Sequence, residues 1–363
     1  MKVALVHDYI KELGGAERVL MTLHEMFPDA PIYTAFMTPE STAAKAFSDA
    51  KVITSWADIF IRYKNLYSPL RFLAPLIWES FNFSNFDLVI LSSSWFITKS
   101  VRIPKHVKVI CYCHTPPRYL YGLRTAIDWQ KYKLVKIYGY FINHFLRLYD
   151  FLAAQRVDYF IANSKNVAAR IKKFYRRDSV VVYPPVDVKT VSQKRGDFYL
   201  VATRISSEKG VPMVMEAANK MGIKLKVVGE FAGLRWEENK IKKQESGNIE
   251  FLGRVSDEKL KKLYAQCKAF IVVEQDVDFG ITPVEAMAAG TSVIAFRSGG
   301  YLESVVENKT GVFFDEYNVQ SLVEAIKKFE KMKFKKEDCI KQAQKFSKEV
   351  FVKKMKEVIE HAQ

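Results

Sequence analysis

The sequence predicts two α/β domains in series, each a doubly wound parallel sheet covered by helices. Three observations carry this. Short apolar or β-branched runs alternate with stretches of helical period from the N-terminus onward, the pattern of successive β–α units. Pro184-Pro185 breaks the chain near its middle, and a second series of the same kind begins after it. The length, 363 residues, suits two domains of ordinary size, each able to bury its own core.

Taken in order, the first series offers strands at Val3–His7, Ile32–Ala35, Leu88–Ser92, Val107–Tyr112, Tyr159–Ala162 and Val180–Tyr183. A helix over Ala16–Met26, opened by Gly15, joins the first two. The second series reads as strand Phe198–Ala202, helix Val211–Met221, strands Leu225–Val228 and Ile249–Leu252, helix Asp257–Gln266, and strands Ala269–Val273 and Ser292–Phe296. The lysine-rich stretch Lys335–Gln363 is helical by periodicity. No internal repeat is present.

The chain is 49% hydrophobic and 26% charged, without a low-complexity tract, which excludes a disordered class. Cys111, Cys113, Cys267 and Cys339 show no zinc spacing. Cys111 and Cys113, two apart on a strand, face one side and read as core thiols of a reduced, cytoplasmic compartment. The sequence opens on a strand, MKVALVHDY, so no signal peptide is expected. No run of 18 apolar residues occurs, so no bilayer span is expected. Net charge is +16, and residues 1–184 hold 25 Lys+Arg against 14 Asp+Glu. A basic N-terminal half points to an anionic partner or to a generally basic protein. Nucleic acid is disfavoured as that partner, because no helix-turn-helix, zinc or RNP pattern is present.

The most informative stretch is Gln275–Gly290, QDVDFGITPVEAMAAG, followed by the strand TSVIAF and the turn Gly299-Gly300. Phe279-Gly280 leads into a small-residue helix through Ile281. A loop whose amides open a helix is an anion site, since first-turn N–H groups lack intrahelical partners. A carboxylate beside it, Glu285, can chelate a ribose diol. The same residues also fit an ordinary strand–turn–helix.

Several further segments fall in a recognisable order: HDYIKELGGAERVL, YCHTPPRYLY, FIANSKNVAARIKKFY, VVYPPVD, ATRISSEKG and IEFLGRVSDEKLKKLYAQC. Together with FGITPVEAMAAG they cover most of residues 1–315. The chain closely resembles the retaining GT-B glycosyltransferases of the large family four, and more narrowly the bacterial mannosyltransferases of O-antigen, capsule and lipopolysaccharide biosynthesis.

The resemblance implies two Rossmann-like domains facing a cleft. Residues 1–184 are expected to bind acceptor, residues 185–345 to bind nucleotide-sugar, and the helix 346–363 to pack back on the first. Arg204 and Lys209, at a strand end and in the loop after it, correspond to the cations that clasp the donor diphosphate; two cations at a carboxyl edge suit that charge. Surface charge is their plainer reading. Gly14 and Gly15 follow the first strand and open a helix beside Glu17, allowing close approach of phosphate or sugar, while Asp8 could be a turn-former. His114 corresponds to the active-site histidine, able to bond a sugar hydroxyl, and Arg118 is its acceptor-side neighbour. Arg254 and Val255 fall at the turn that meets the nucleobase. Asp278, Phe279, Gly280, Ile281 and Glu285 form the donor-sugar and ribose contacts.

One departure stands out. Glu285 matches the second glutamate of the family's E-x7-E motif, but the first position is Val277. Asp276 or Asp278 could supply the missing carboxylate from a shifted loop. Together they also spell the D-x-D pattern of metal-binding glycosyltransferases, although their position under a second α/β unit disfavours a metal. The expected activity is therefore metal-independent, cofactor-free, retaining transfer of a hexose, mannose from GDP-mannose, to a lipid-linked or cell-surface saccharide. A sugar-nucleotide epimerase or a catalytically weakened nucleotide-sugar binder stays open. The stretches Ile59–Phe83 and Arg118–Tyr149 interleave cations with aromatics, either as a surface for anionic lipid or as core helices with snorkelling cations. The first reading implies peripheral association with the inner face of the cell membrane.

Overall fold

The computed structural model describes residues 1–125, 133–191, 193–231, 235–244 and 246–362. The chain divides into two compact units: Met1–Pro185 with Lys348–Gln363, and Val186–Ser347.

The first unit holds a seven-stranded sheet of β1 (Val3–His7), β2 (Ile32–Thr34), β3 (Val52–Thr54), β4 (Leu88–Ser93), β5 (Lys108–Cys113), β6 (Tyr159–Ala162) and β7 (Val180–Val181). Its order is β3-β2-β1-β4-β5-β6-β7, all parallel. Every residue of β1 and β4 is buried, as strands covered on both faces must be. Leu5, Ile90, Ile110 and Tyr112 face one helical layer; Ala4, Val89, Leu91, Cys111 and Cys113 face the other. All four cysteines are free and buried, and burial pushes the Cys111 thiol up to about 12, so it packs as an inert group. Helix Lys348–Ala362 belongs to this unit, with Phe351, Met355 and Ile359 in the cluster that holds Leu5 and Leu20.

The second unit holds six parallel strands: β8 (Tyr199–Ala202), β9 (Leu225–Val228), β10 (Ile249–Gly253), β11 (Ala269–Val272), β12 (Val293–Phe296) and β13 (Gly311–Phe314). Their order is β10-β9-β8-β11-β12-β13. Each sheet thus reverses direction once, beside β1 and β4 in the first unit and beside β8 and β11 in the second. Crossovers leave to opposite faces at such a point, which opens a crevice at the carboxyl ends of the two strands.

Strand β3 answers to no sequence expectation. It is a three-residue edge strand whose residues are all half-buried, too short to produce a periodic signal. The expected C-terminal helix is two helices, Lys336–Gln344 and Lys348–Ala362. The break falls where the Phe346 ring packs 5.3 Å from that of Phe279 and the Phe346 carbonyl accepts the Val186 N–H at 2.9 Å.

Candidate active site

In the first unit, β4 lies between β1 and β5, which places Ser92 between two histidines. Its hydroxyl is 2.9 Å from His7 Nδ1 and 2.8 Å from His114 Nε2. A hydroxyl has one proton, so it donates to one ring and accepts from the other, and the two tautomers are coupled. On its far side His7 Nε2 stands 3.7 Å from Glu17 Oε1. With the His7 proton on Nε2, towards that carboxylate, His7 Nδ1 accepts from Ser92 and Ser92 accepts from His114 Nε2–H. All three residues are buried. The network therefore orients His114 from behind.

Glu17 has a second task. Its Oε2 accepts the Gly14 N–H at 2.9 Å, so the amide that caps helix Gly15–Met26 is already held by a carboxylate. Gly15 and Ala16 follow in the helix's first turn, next to Glu17.

Asp8 is more than a turn-former. Its carboxylate accepts from the Ser94 N–H at 2.9 Å, the Ser94 hydroxyl at 2.7 Å, the Trp95 N–H and the Thr98 hydroxyl at 2.7 Å. Burial alone would raise the Asp8 carboxyl, but neighbouring His7 and these donors outweigh it and hold the group below its ordinary value. The loop it ties down includes Ile97 at φ 58°, a left-handed conformation that a β-branched residue adopts only when its surroundings impose it. Arg118 Nη1 donates to the Arg124 carbonyl at 3.0 Å.

In the second unit, Arg204 and Lys209 both follow β8. Arg204 is exposed, and no carboxylate among the described residues pairs with it. Lys209 Nζ lies 2.5 Å from Glu274 Oε2, and Glu274 Oε1 accepts the Thr203 hydroxyl at 3.0 Å. Glu274 follows β11, so the pair bridges the point where this sheet reverses. Gly210 comes next at φ 73° and heads helix Val211–Met221; a side chain there would meet Val273 and Tyr317 at about 2.5 Å, which only glycine avoids.

The donor loop rests on the glycine turn that follows β12. Gly300 N–H donates to the Val277 carbonyl at 3.0 Å, and a methyl on Gly300 would sit 2.3 Å from Phe279 Cα. Asp276 adopts φ 57°, with its N–H donating to the Ser298 hydroxyl at 2.8 Å. Phe279 is buried, its ring packed against that of Phe346. Gly280, at φ 80°, caps helix Ile281–Ala288. Glu285, on that helix, is half-buried and accepts the Tyr264 hydroxyl at 3.1 Å. Asp278 is half-buried. Arg254 and Val255 follow β10, with Arg254 Nη1 3.9 Å from Glu230 Oε1, a loose exposed pair. No group of three His, Cys, Asp or Glu among the described residues could hold a metal ion.

The family models match this architecture half by half. Residues 13–190 match the model described as Glycosyltransferase Family 4, and residues 182–346 match Glycosyl transferases group 1. The chain belongs to these glycosyltransferases. It has the GT-B fold of two parallel-sheet units. It is 24% identical to the alpha-1,3/1,6-mannosyltransferase ALG2 of Dictyostelium discoideum, over 86% of this chain and 85% of that one. It is 36% identical to the lipopolysaccharide core biosynthesis mannosyltransferase LpcC of Rhizobium leguminosarum bv. viciae, over 22% of each chain. The uncharacterized glycosyltransferase MJ1178 of Methanocaldococcus jannaschii is 28% identical, and this chain spans half its length. Among solved structures, Alr3699/HepE of Anabaena with bound UDP superposes with a TM-score of 0.73 at 17% identity, over 99% of this chain and 100% of that one.

Two groups at the candidate site escaped the sequence reading. Glu274 lies outside the E-x7-E spacing, which falls on Val277; a carboxylate directly after an apolar strand, IVVEQD, was its signal. Ser92 gave none, since its role depends on β4 lying between β1 and β5.

Proposed function

We propose that this glycosyltransferase moves a mannosyl group from GDP-mannose, with retention of configuration and without a metal, to a lipid-linked saccharide at the inner face of the cell membrane. One observation carries the assignment of the donor side. Arg204 and the Lys209–Glu274 pair flank the switch point of the second sheet, where a diphosphate can meet one exposed cation and one cation held in place. The names of the ALG2 and LpcC relatives favour mannose, and the latter's name favours a saccharide of the lipopolysaccharide class.

In this reading the acceptor hydroxyl attacks the anomeric carbon as the bond to the diphosphate breaks, and the acceptor proton passes to the departing phosphate oxygen. Arg204 and Lys209 stabilise the charge that develops on the leaving group. Glu274 fixes the Lys209 rotamer through its own bond from Thr203. His114, oriented by Ser92 and His7, steadies the sugar. Asp278, the amides of Phe279–Ile281 and Glu285 meet donor sugar and ribose; Arg254 and Val255 meet the base, and Gly14 and Gly15 the phosphate or sugar. Arg118 serves the acceptor.

The test is turnover of a panel of nucleoside-diphosphate sugars with and without a lipid-linked acceptor. Transfer from GDP-mannose alone supports the reading. Transfer from another donor replaces the mannosyl assignment. Isomerisation without acceptor makes the protein an epimerase, and binding without turnover leaves a non-catalytic binder.

A further inference from the structure

Helix Lys133–Ala154 wears its polarity inside out. The side it buries carries Gly139, Asn143, Leu146, Asp150, Ala153 and Ala154. Asn143 accepts from Arg71 Nε at 3.0 Å and Nη2 at 2.9 Å. Asp150 lies 2.8 Å from Lys99 Nζ, both fully buried, and accepts the Tyr121 hydroxyl at 2.8 Å. These polar anchors fix which face points inward. The opposite face presents Leu134, Ile137, Phe141, Phe145, Leu148 and Leu152, each 49–82% exposed. At 100° per residue these six fall within a sector of about 80°. Lys133, Lys136, His144 and Arg147 are all exposed and fall on one flank of that stripe, about 20–100° from its edge, and no exposed residue of the helix is acidic. Phe72 and Leu76 are also exposed, on a segment pinned to the helix by the Arg71–Asn143 bonds and by Tyr138 donating to the Pro69 carbonyl.

An exposed apolar stripe rimmed by polar side chains marks an interaction or membrane surface. We propose that it is a lipid-contacting face: the helix lies in the plane of a bilayer that contains anionic lipid, its stripe at the acyl boundary and its cations among the phosphates. No helix among the described residues is long and apolar enough to cross a membrane, so the contact is with one leaflet. A second copy of the chain is the poorer occupant. Pairing the stripe with itself about a two-fold axis would bring together helices that offer only cations at their exposed charged positions. The inference deepens the proposed function by naming the surface that would bring the enzyme to a lipid-linked acceptor, and it rests on that reading only for its purpose.

The test is flotation of the full chain with vesicles of phosphatidylcholine alone or mixed with phosphatidylglycerol, over a range of salt. The wild type should bind the mixed vesicles more tightly, and salt should weaken that binding. The triple variant Phe141→Ser/Phe145→Ser/Leu148→Ser should lose at least about tenfold in partition, because each serine removes apolar contact with the acyl boundary. Lys136→Gln/Arg147→Gln should erase the preference for phosphatidylglycerol while retaining binding to phosphatidylcholine. All changed side chains are exposed, so thermal unfolding should be unaltered. Equal flotation of wild type and triple variant overturns the proposal. So does a concentration-dependent dimer, seen by sedimentation, that the triple variant abolishes without altering flotation. If no nucleoside-diphosphate sugar is turned over yet flotation follows this pattern, the activity reading fails and the lipid-contacting face stands.

Discussion

The two sheets reverse direction in the same way, but the chemistry placed at each reversal differs. In the first unit the groups are buried and hold one another: Glu17 stands beside His7, His7 bonds Ser92, Ser92 bonds His114, and Asp8 bonds the loop at 94–98. In the second, Arg204 is exposed and Lys209 is only partly enclosed by its carboxylate. One topology thus supplies a rigid, hydrogen-bonded wall in one unit and accessible positive charge in the other. The position of a site follows from strand order, whereas its chemistry follows from which side chains the loops carry.

The sharpest way to break that contrast is to remove the accessible charge. Arg204→Ala should lower kcat/KM about 10²-fold or more, the usual effect of losing one preorganised charge partner, with an unchanged melting temperature. Steady-state kinetics and thermal unfolding check both halves. Next comes the wall. Asp8→Asn should cost roughly 1–3 kcal/mol, since four donors lose a charged acceptor. Asp8 is held below its ordinary value in the folded state. Its contribution is therefore complete above the unfolded carboxylate range, near about pH 4, and is lost as pH falls through the depressed value. Denaturant titrations from pH 7 to pH 3 should show the gap between wild type and Asp8→Asn narrowing only below that range; a constant gap would mean that Asp8 titrates alike in the folded and unfolded chain, and a gap that widens as pH falls would mean that the fold holds it neutral. Glu274→Gln should have a smaller effect, about tenfold in kcat/KM, because Lys209 keeps its charge and loses its fixed position. The least effect is expected from EDTA, which should leave the rate unchanged; loss of activity restored by Mn²⁺ would make Asp276 and Asp278 metal ligands.

Much of the fold was legible because buried parallel strands read as continuous apolar runs: Val3–His7, Tyr159–Ala162 and Leu225–Val228 fall where the pattern put them. Strand β3 was not, being three half-buried residues at a sheet edge. The turn that opens helix Ile281–Ala288 could be read because glycines and a helix start lie close together in sequence. The hydroxyl bridge through Ser92 could not, because its two histidines lie 85 and 22 residues away and meet it only through strand order. Glu274 was visible as a residue but not as a partner, since its bond to Lys209 spans 65 positions.

The first unit is discontinuous in sequence, closed by helix Lys348–Ala362. During synthesis the N-terminal residues must therefore wait for helix Lys348–Ala362. Leu5, Leu20 and Ile32 share a cluster with Phe351, Met355 and Ile359, which leave the ribosome only after the whole second unit has been made. The second unit is built from consecutive chain, whereas the first is sealed only once that helix has been made. A stop codon anywhere before residue 348 would leave that apolar layer uncovered, so quality control by chaperones and proteases should single out truncated chains even when every residue of the candidate active site is intact.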